Sequence, residues 1–163
     1  MLVSEGVLKW VIRFYPPLFF QRIWVVRFDK EFRGVEVKIK KSLLNKNYNN
    51  SIFGGTIFSA ADPFYPVLFF HILKHRGYKL LAWSHSLAIR YRKPSTTDMH
   101  FKIKISDEEI EDCEGALNST GKYKRTFLIE IYDENAILCV TVLSKIYIRN
   151  LSFSANADEN VSF

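Results

Sequence analysis

A chain of 163 residues, 48% hydrophobic and 25% charged, is about the size of one domain, and its balance excludes both a disordered segment and a membrane-resident bundle. Its 23 Lys and Arg against 17 Asp and Glu leave a formal charge of +6, which favours anionic partners such as a phosphorylated cofactor or a membrane surface, while nucleic acid has no recognisable motif behind it. The two cysteines, Cys113 and Cys139, form no Cys-x-x-Cys pair and point to reduced thiols in a cytoplasmic protein; the four histidines have no Glu or Cys at ligand spacing, so no metal is expected.

The first 28 residues are apolar and aromatic, but Glu5, Lys9, Arg13 and Arg22 interrupt them and Pro16-Pro17 breaks any continuous helix. That excludes a membrane span there, and no small-residue cleavage site follows to make a signal peptide. Residues 4–14 read as a short helix with Val7, Leu8, Val11 and Ile12 on one face, either capping the core or resting on a bilayer surface. From Ile23 the period changes to two, giving strands over 23–29 and 34–43 joined at a turn near Glu31 to Gly34.

A polar loop, Asn45 to Ser51, leads into a long apolar helix from Gly54 to about Leu73. Pro63 and Pro66 each lack an N–H and crowd the carbonyl four residues back, so a kink or break is expected just after Asp62. Strands follow over 79–92, 98–106, 119–132 and 136–149. Their breaks fall at Lys93-Pro94-Ser95, at an acidic stretch from Asp107 to Glu114 read as a solvated loop or bulge, and at a hairpin turn, Asp133-Glu134-Asn135. Residues 150–163 are polar and aperiodic, a loose tail. The plan is α+β: one domain over 1–149, a helical cap over 1–22, and a mostly antiparallel sheet wrapping a central helix.

The chemistry concentrates between residues 47 and 63. Gly54-Gly55 at a helix start lets backbone N–H groups approach a ligand, and Asp62 is a carboxylate in an otherwise apolar run. Each has an ordinary reading as well. Asp62 before Pro63 suits an N-cap, the glycine pair suits a tight turn, Asn47 suits a turn, and Ser84 suits any strand. The scattered basic residues suit solvated strand faces.

These residues, in this order and spacing over about 15–149, resemble the hot-dog fold thioesterases of the phenylacetyl-CoA and acyl-CoA type, most closely their uncharacterised DUF4442-type subgroup with its Gly-Gly, Ala-Asp-Pro and Arg-Lys-Pro landmarks. The resemblance implies that Gly54 offers its N–H to a thioester carbonyl and Asp62 is the nucleophile or the base that activates water. It further implies that Asn47 holds the water or carbonyl and Ser84 contributes a hydroxyl. Phe53 stands where the family has His, which argues against the dehydratase branch, and Pro63 is common only in the closer subgroup. Both features leave open a non-catalytic domain that binds acyl thioesters or another apolar ligand.

On an α-helix Asp62 lies ~12 Å along the axis from Gly54. Serving one thioester therefore requires groups from two subunits, which predicts a homodimer with interface sites, and a dimer of dimers is a further assembly it allows. Gly55, Phe53 and Phe58 are candidate substrate contacts for an acyl or aryl group. Arg90, Arg92 and Lys93, or else Lys122, Lys124 and Arg125, are candidates for the phosphates of coenzyme A or an acyl carrier protein. No cofactor is expected beyond the coenzyme A thioester as substrate.

Overall fold

Alternation of apolar and polar residues builds the central strands of the sheet. In the structure, a computed structural model that describes residues 3–154, six antiparallel strands are β1 (Ile23–Phe28), β2 (Gly34–Ile39), β3 (Leu80–Tyr91), β4 (Met99–Lys104), β5 (Lys122–Asp133) and β6 (Leu138–Asn150). Their order in space is β1-β2-β4-β5-β6-β3. Val35, Val37 and Ile39 of β2, Phe101 and Ile103 of β4, Phe127, Ile129 and Ile131 of β5 and Val142, Ile146 and Ile148 of β6 are all buried on one side. Lys, Thr and Glu residues take the alternate positions, as a sheet with one solvated face requires.

The sheet wraps two consecutive helices, α3 (Gly54–Ala61) and α4 (Phe64–His75), by convention numbered after α1 (Glu5–Arg13) and α2 (Pro16–Phe19). Ile57, Ala60, Phe64, Leu68, Phe69 and Leu73 are buried over more than half of the rod's circumference, while Ser59, Pro63, Val67 and Phe70 form a half-buried stripe along the rest. Gly54–His75 is long and apolar enough by composition to cross a membrane, with mean hydropathy 1.3, yet 67% of that apolar window is buried inside the fold. Tyr65 stacks on Phe127 at 4.3 Å, tying the rod to β5.

The interruption falls where the prolines require it. Asp62 (φ −66°, ψ −53°) and Pro63 (φ −83°, ψ −21°) keep helical dihedrals. Pro63 and Pro66 cannot donate to the carbonyls of Ser59 and Asp62, so the chain bends without unwinding.

Two expectations need correction. The acidic stretch is no loop: α5 spans Asp107–Ser119. Ser106 Oγ accepts from the Glu109 N–H at 3.2 Å while Glu109 accepts from the Ser106 N–H at 2.9 Å, a reciprocal cap, and Ile110, Cys113 and Leu117 are buried along one face. β5 accordingly begins at Lys122, not 119. The face of α1 is also rotated from the expected one. Leu8 is buried and Ile12 half-buried, and Glu5 accepts from the Glu31 N–H at 2.8 Å, so positions 5, 8 and 12 face the body; Val7 and Val11 stay outside.

Smaller differences have local causes. Pro16 and Pro17 open α2 instead of merely ending α1, since the first helical positions need no N–H. β2 stops at Ile39, because the Lys40 N–H turns to Arg22 O (2.9 Å) and the Lys41 N–H to the Asp98 carboxylate (2.9 Å). Most of the loose tail expected over 150–163 lies outside the described residues.

Candidate functional site

The start of α3 is held by a buried asparagine in the preceding loop. Asn45 gives its side-chain amide to Gln21 O (2.8 Å) and Lys40 O (3.0 Å), and its carbonyl receives the Phe53 N–H at 2.7 Å. The Ile52 N–H reaches Ser95 O at 3.0 Å. Pinned on both sides, Phe53 becomes an N-cap with no side-chain bond to offer. Its carbonyl takes the N–H groups of Thr56 (3.0 Å) and Ile57 (3.3 Å). The Gly54 and Gly55 N–H groups have no partner among the described residues, and they sit at the positive end of the helix.

Both glycines let an aromatic ring lie close on the helix start. A Cβ on Gly54 would stand 2.9 Å from Tyr91 Oη, and one on Gly55 2.4 Å from Cε1 of Phe53, closer than carbon atoms approach. Tyr91 Oη donates to Gly54 O at 2.9 Å, and burial raises the pKa of this phenol, which keeps it a donor. A cavity of about 290 Å³ opens here, lined by Gly54, Asn47, Ser51, Tyr91, Arg92 and Lys93.

Asp62 belongs to a different cavity of about 510 Å³. Val11, Tyr15 and Leu18 from the N-terminal cap line it together with Phe58 and Val67. The carboxylate has no hydrogen-bond or ion-pair partner among the described residues. Asp62 does not cap α4: its backbone is helical, and Pro63 is the cap, without a side-chain bond.

Ser84 has a definite task. Its Oγ donates to Asp62 O at 2.7 Å, satisfying the carbonyl that Pro66 leaves without a helix partner. It touches the backbone of Asp62, and so fixes the bend that carries the acid.

The remaining candidates sort by place. Asn47 Oδ1 accepts from the N–H of Asn49 (3.0 Å), the N–H of Ser51 (3.1 Å) and Ser51 Oγ (3.1 Å), a turn-forming role, while Asn47 also borders the Gly54 cavity. Phe53 lies over Gly55, and Phe58 lines the Asp62 cavity; both rings are exposed at their edges. Arg92 and Lys93 line the Gly54 cavity, whereas Arg90 is exposed on β3 and lines neither. Lys122, Lys124 and Arg125 are on β5; Arg125 is paired to Asp112 at 3.0 Å and Lys124 lies over Tyr147. Among the described residues no three His, Cys, Asp or Glu side chains gather as a metal set.

Sequence reasoning passed over Asn45, Tyr91 and the cavity wall supplied by α1 and α2. Asn45 opens the polar loop and Tyr91 precedes the Arg-Lys-Pro landmark. Neither position has a periodicity signal that distinguishes it from a loop or strand residue.

The model of a family described as a domain of unknown function, DUF4442, matches residues 6–148. No curated protein matches the chain. Among solved structures, a Pseudomonas aeruginosa protein of unknown function described as a probable thioesterase is 14% identical, with 92% of this chain and 98% of that one covered and a TM-score of 0.76. A thioesterase from Haemophilus influenzae is 12% identical, covering 94% and 98%, with a TM-score of 0.67. The Escherichia coli PaaI protein from the phenylacetic acid degradation operon is 14% identical, covering 91% and 97%, with a TM-score of 0.58. At such identities the likeness is one of fold, the hot-dog.

Proposed function

Since the chain belongs to the DUF4442 family and has a thioesterase-like hot-dog fold, we propose that it hydrolyses the thioester of an acyl group carried on coenzyme A or on an acyl carrier protein, working as a homodimer. The observation that carries this reading is that one chain holds two separate, incomplete half-sites: unpaired amides at the start of α3, and an unpartnered acid at its end beside an apolar cavity. Along one helix they are ~12 Å apart, so one subunit supplies only one of them to a given carbonyl.

In the mechanism, the Gly54 N–H donates to the thioester oxygen, where negative charge develops as the carbonyl carbon becomes tetrahedral. Asp62 of the partner subunit takes a proton from water, whose oxygen forms the new C–O bond. The C–S bond then breaks, Asp62 returns that proton to the leaving sulfur, and the products are the free thiol and the carboxylic acid. The acyl or aryl chain occupies the cavity between α3 and the N-terminal helices, and Arg92 and Lys93 meet phosphate. Two free, buried thiols suit the reducing cytoplasm.

The test is release of free thiol from short, long and aromatic acyl-CoAs. Turnover by the parent and a loss of roughly 10²- to 10⁴-fold in Asp62→Asn is expected, the range for removing a general base. Unchanged turnover in the variant would overturn the assignment of Asp62. A second reading, a binding domain without turnover, is favoured by the rings of Phe53 and Tyr91, which crowd the two glycines. It predicts acyl-CoA binding without thiol release across the whole panel.

A further inference from the structure

The apolar stripe of α1 faces away from the protein. Val7, Trp10, Val11 and Phe14 follow the i, i+3, i+4, i+7 spacing and fall within an arc of ~100° on the helix. They are 51%, 52%, 59% and 65% exposed, the reverse of what a helix laid on a core requires. The stripe continues into α2. Phe14 stacks on Phe19 at 6.1 Å, Phe19 meets Phe20 at 5.5 Å, and Tyr15 and Phe20 are exposed. The loop after β2 is tied to the end of α2 by the Lys40 N–H to Arg22 O and the Asn45 amide to Gln21 O, and it carries Leu43 and Leu44 exposed at 81% and 63%.

A basic fringe accompanies these groups. Lys9 and Arg13 lie over the Trp10 ring, at 5.8 and 5.1 Å, and Lys40, Lys41 and Lys46 surround the leucines in sequence. The only acid on α1, Glu5, is turned inward to the Glu31 N–H.

We propose that α1, α2 and the 40–46 loop form a docking surface for an anionic bilayer interface. Aromatic and aliphatic side chains enter the headgroup boundary while the lysines and arginines meet lipid phosphates. A second copy of the chain is a poorer occupant, because two-fold pairing would set the same cations against one another. α1 and α2 also lie against β1, at the opposite end of the strand order from the free edge of β3. The surface is continuous with the larger cavity, whose wall includes Val11, Tyr15 and Pro17. Resting on the acyl-thioester reading, this gives a membrane-associated acyl chain a short path from the bilayer to the site. Docking itself does not require that reading.

Sedimentation with vesicles of phosphatidylglycerol mixed into phosphatidylcholine tests the surface directly, with the full chain at low and high salt. The parent is expected to pellet with the anionic vesicles, to release as salt rises, and to stay in the supernatant with phosphatidylcholine alone. Trp10→Ser with Phe14→Ser is expected to lower the partition coefficient by roughly tenfold or more, while mass in analytical ultracentrifugation and turnover of a short acyl-CoA stay at parental values. Absence of the parent from the anionic pellet at low salt would overturn the proposal, whatever the variant does. So would a fall in oligomer mass in the double variant, which would identify the face as a contact between copies. Loss of acyl-CoA turnover in the parent with pelleting retained would sink only the hydrolase reading.

Discussion

At Gly54 a single missing carbon lets the Tyr91 hydroxyl close on the helix backbone. A Cβ there lies 2.9 Å from Tyr91 Oη and 3.0 Å from Cζ, so Gly54→Ala displaces the half-exposed ring and weakens its bond to Gly54 O. The expected result is a lower melting temperature together with a thiol-release rate down by roughly tenfold or more, since the amide is no longer held where the carbonyl needs it. Adding Tyr91→Leu opens the space and is expected to recover the melting temperature; if it does not, the clash is not the cause. His71 makes a second prediction. It is 5% exposed, stacks on Phe32 at 4.4 Å, and Nδ1 has no hydrogen-bond partner among the described residues. Burial, helped by the neighbouring His75 and opposed by Glu5, holds its pKa below the ordinary 6.5. As pH falls through 6.5 the unfolded chain binds a proton that the folded one refuses, so this stability is complete above that value and drains away toward the lower folded pKa. Thermal melts are expected to show a drop in stability on acidification over that window, and His71→Leu is expected to flatten it. An equally steep drop in the variant would assign the effect to other groups.

The bend between α3 and α4 shows which element-level features a sequence carries and which it hides. Two prolines and an intervening run of apolar residues announce a kink after Asp62, because the missing N–H groups act locally. The compensating hydroxyl of Ser84 arrives from a strand distant in sequence, and only the packing of β3 against the helix reveals that it serves the carbonyl and not the acid. α5 failed to show for a different reason. Its high acid content mimics a solvated loop, although Ser106 and Glu109 hold capping-box spacing and Ile110, Cys113 and Leu117 recur at helical intervals. All six strands are legible in outline, though the end of β2 and the start of β5 are not, because those ends are set by hydrogen bonds to distant segments and by α5. Ser84→Ala is expected to cost about 1–2 kcal/mol in denaturant unfolding, the penalty of leaving a half-buried carbonyl unpaired. Pro66→Ala returns an N–H to that same carbonyl, so the double variant should lose less than the sum of the two single changes. Strict additivity would mean that the two groups do not share the Asp62 oxygen.

For the whole molecule, the two half-sites and the free edge of β3 pose one question. β3 is 12 residues long, pairs among the described residues with β6 alone, and exposes Leu81 and Trp83, a span that natural sheets rarely leave bare. Pairing of two such edges about a two-fold axis would join two copies and bring their α3 helices alongside each other in opposite directions, with the amide end of one against the acid end of the other. That arrangement makes a prediction independent of any distance. Homodimers of Asp62→Asn and of Gly54→Ala each have both sites impaired. When subunits exchange, a mixed dimer carries both defects in one site and none in the other. Random exchange of an equal mixture makes half the dimers mixed and half of their sites intact, so thiol release should climb to about a quarter of the parental rate. If Gly54 and Asp62 of one subunit served the same carbonyl, each site would keep the defect of the subunit that owns it. The mixture would then release thiol no faster than the mean of the two variants, at every ratio and after any exchange time.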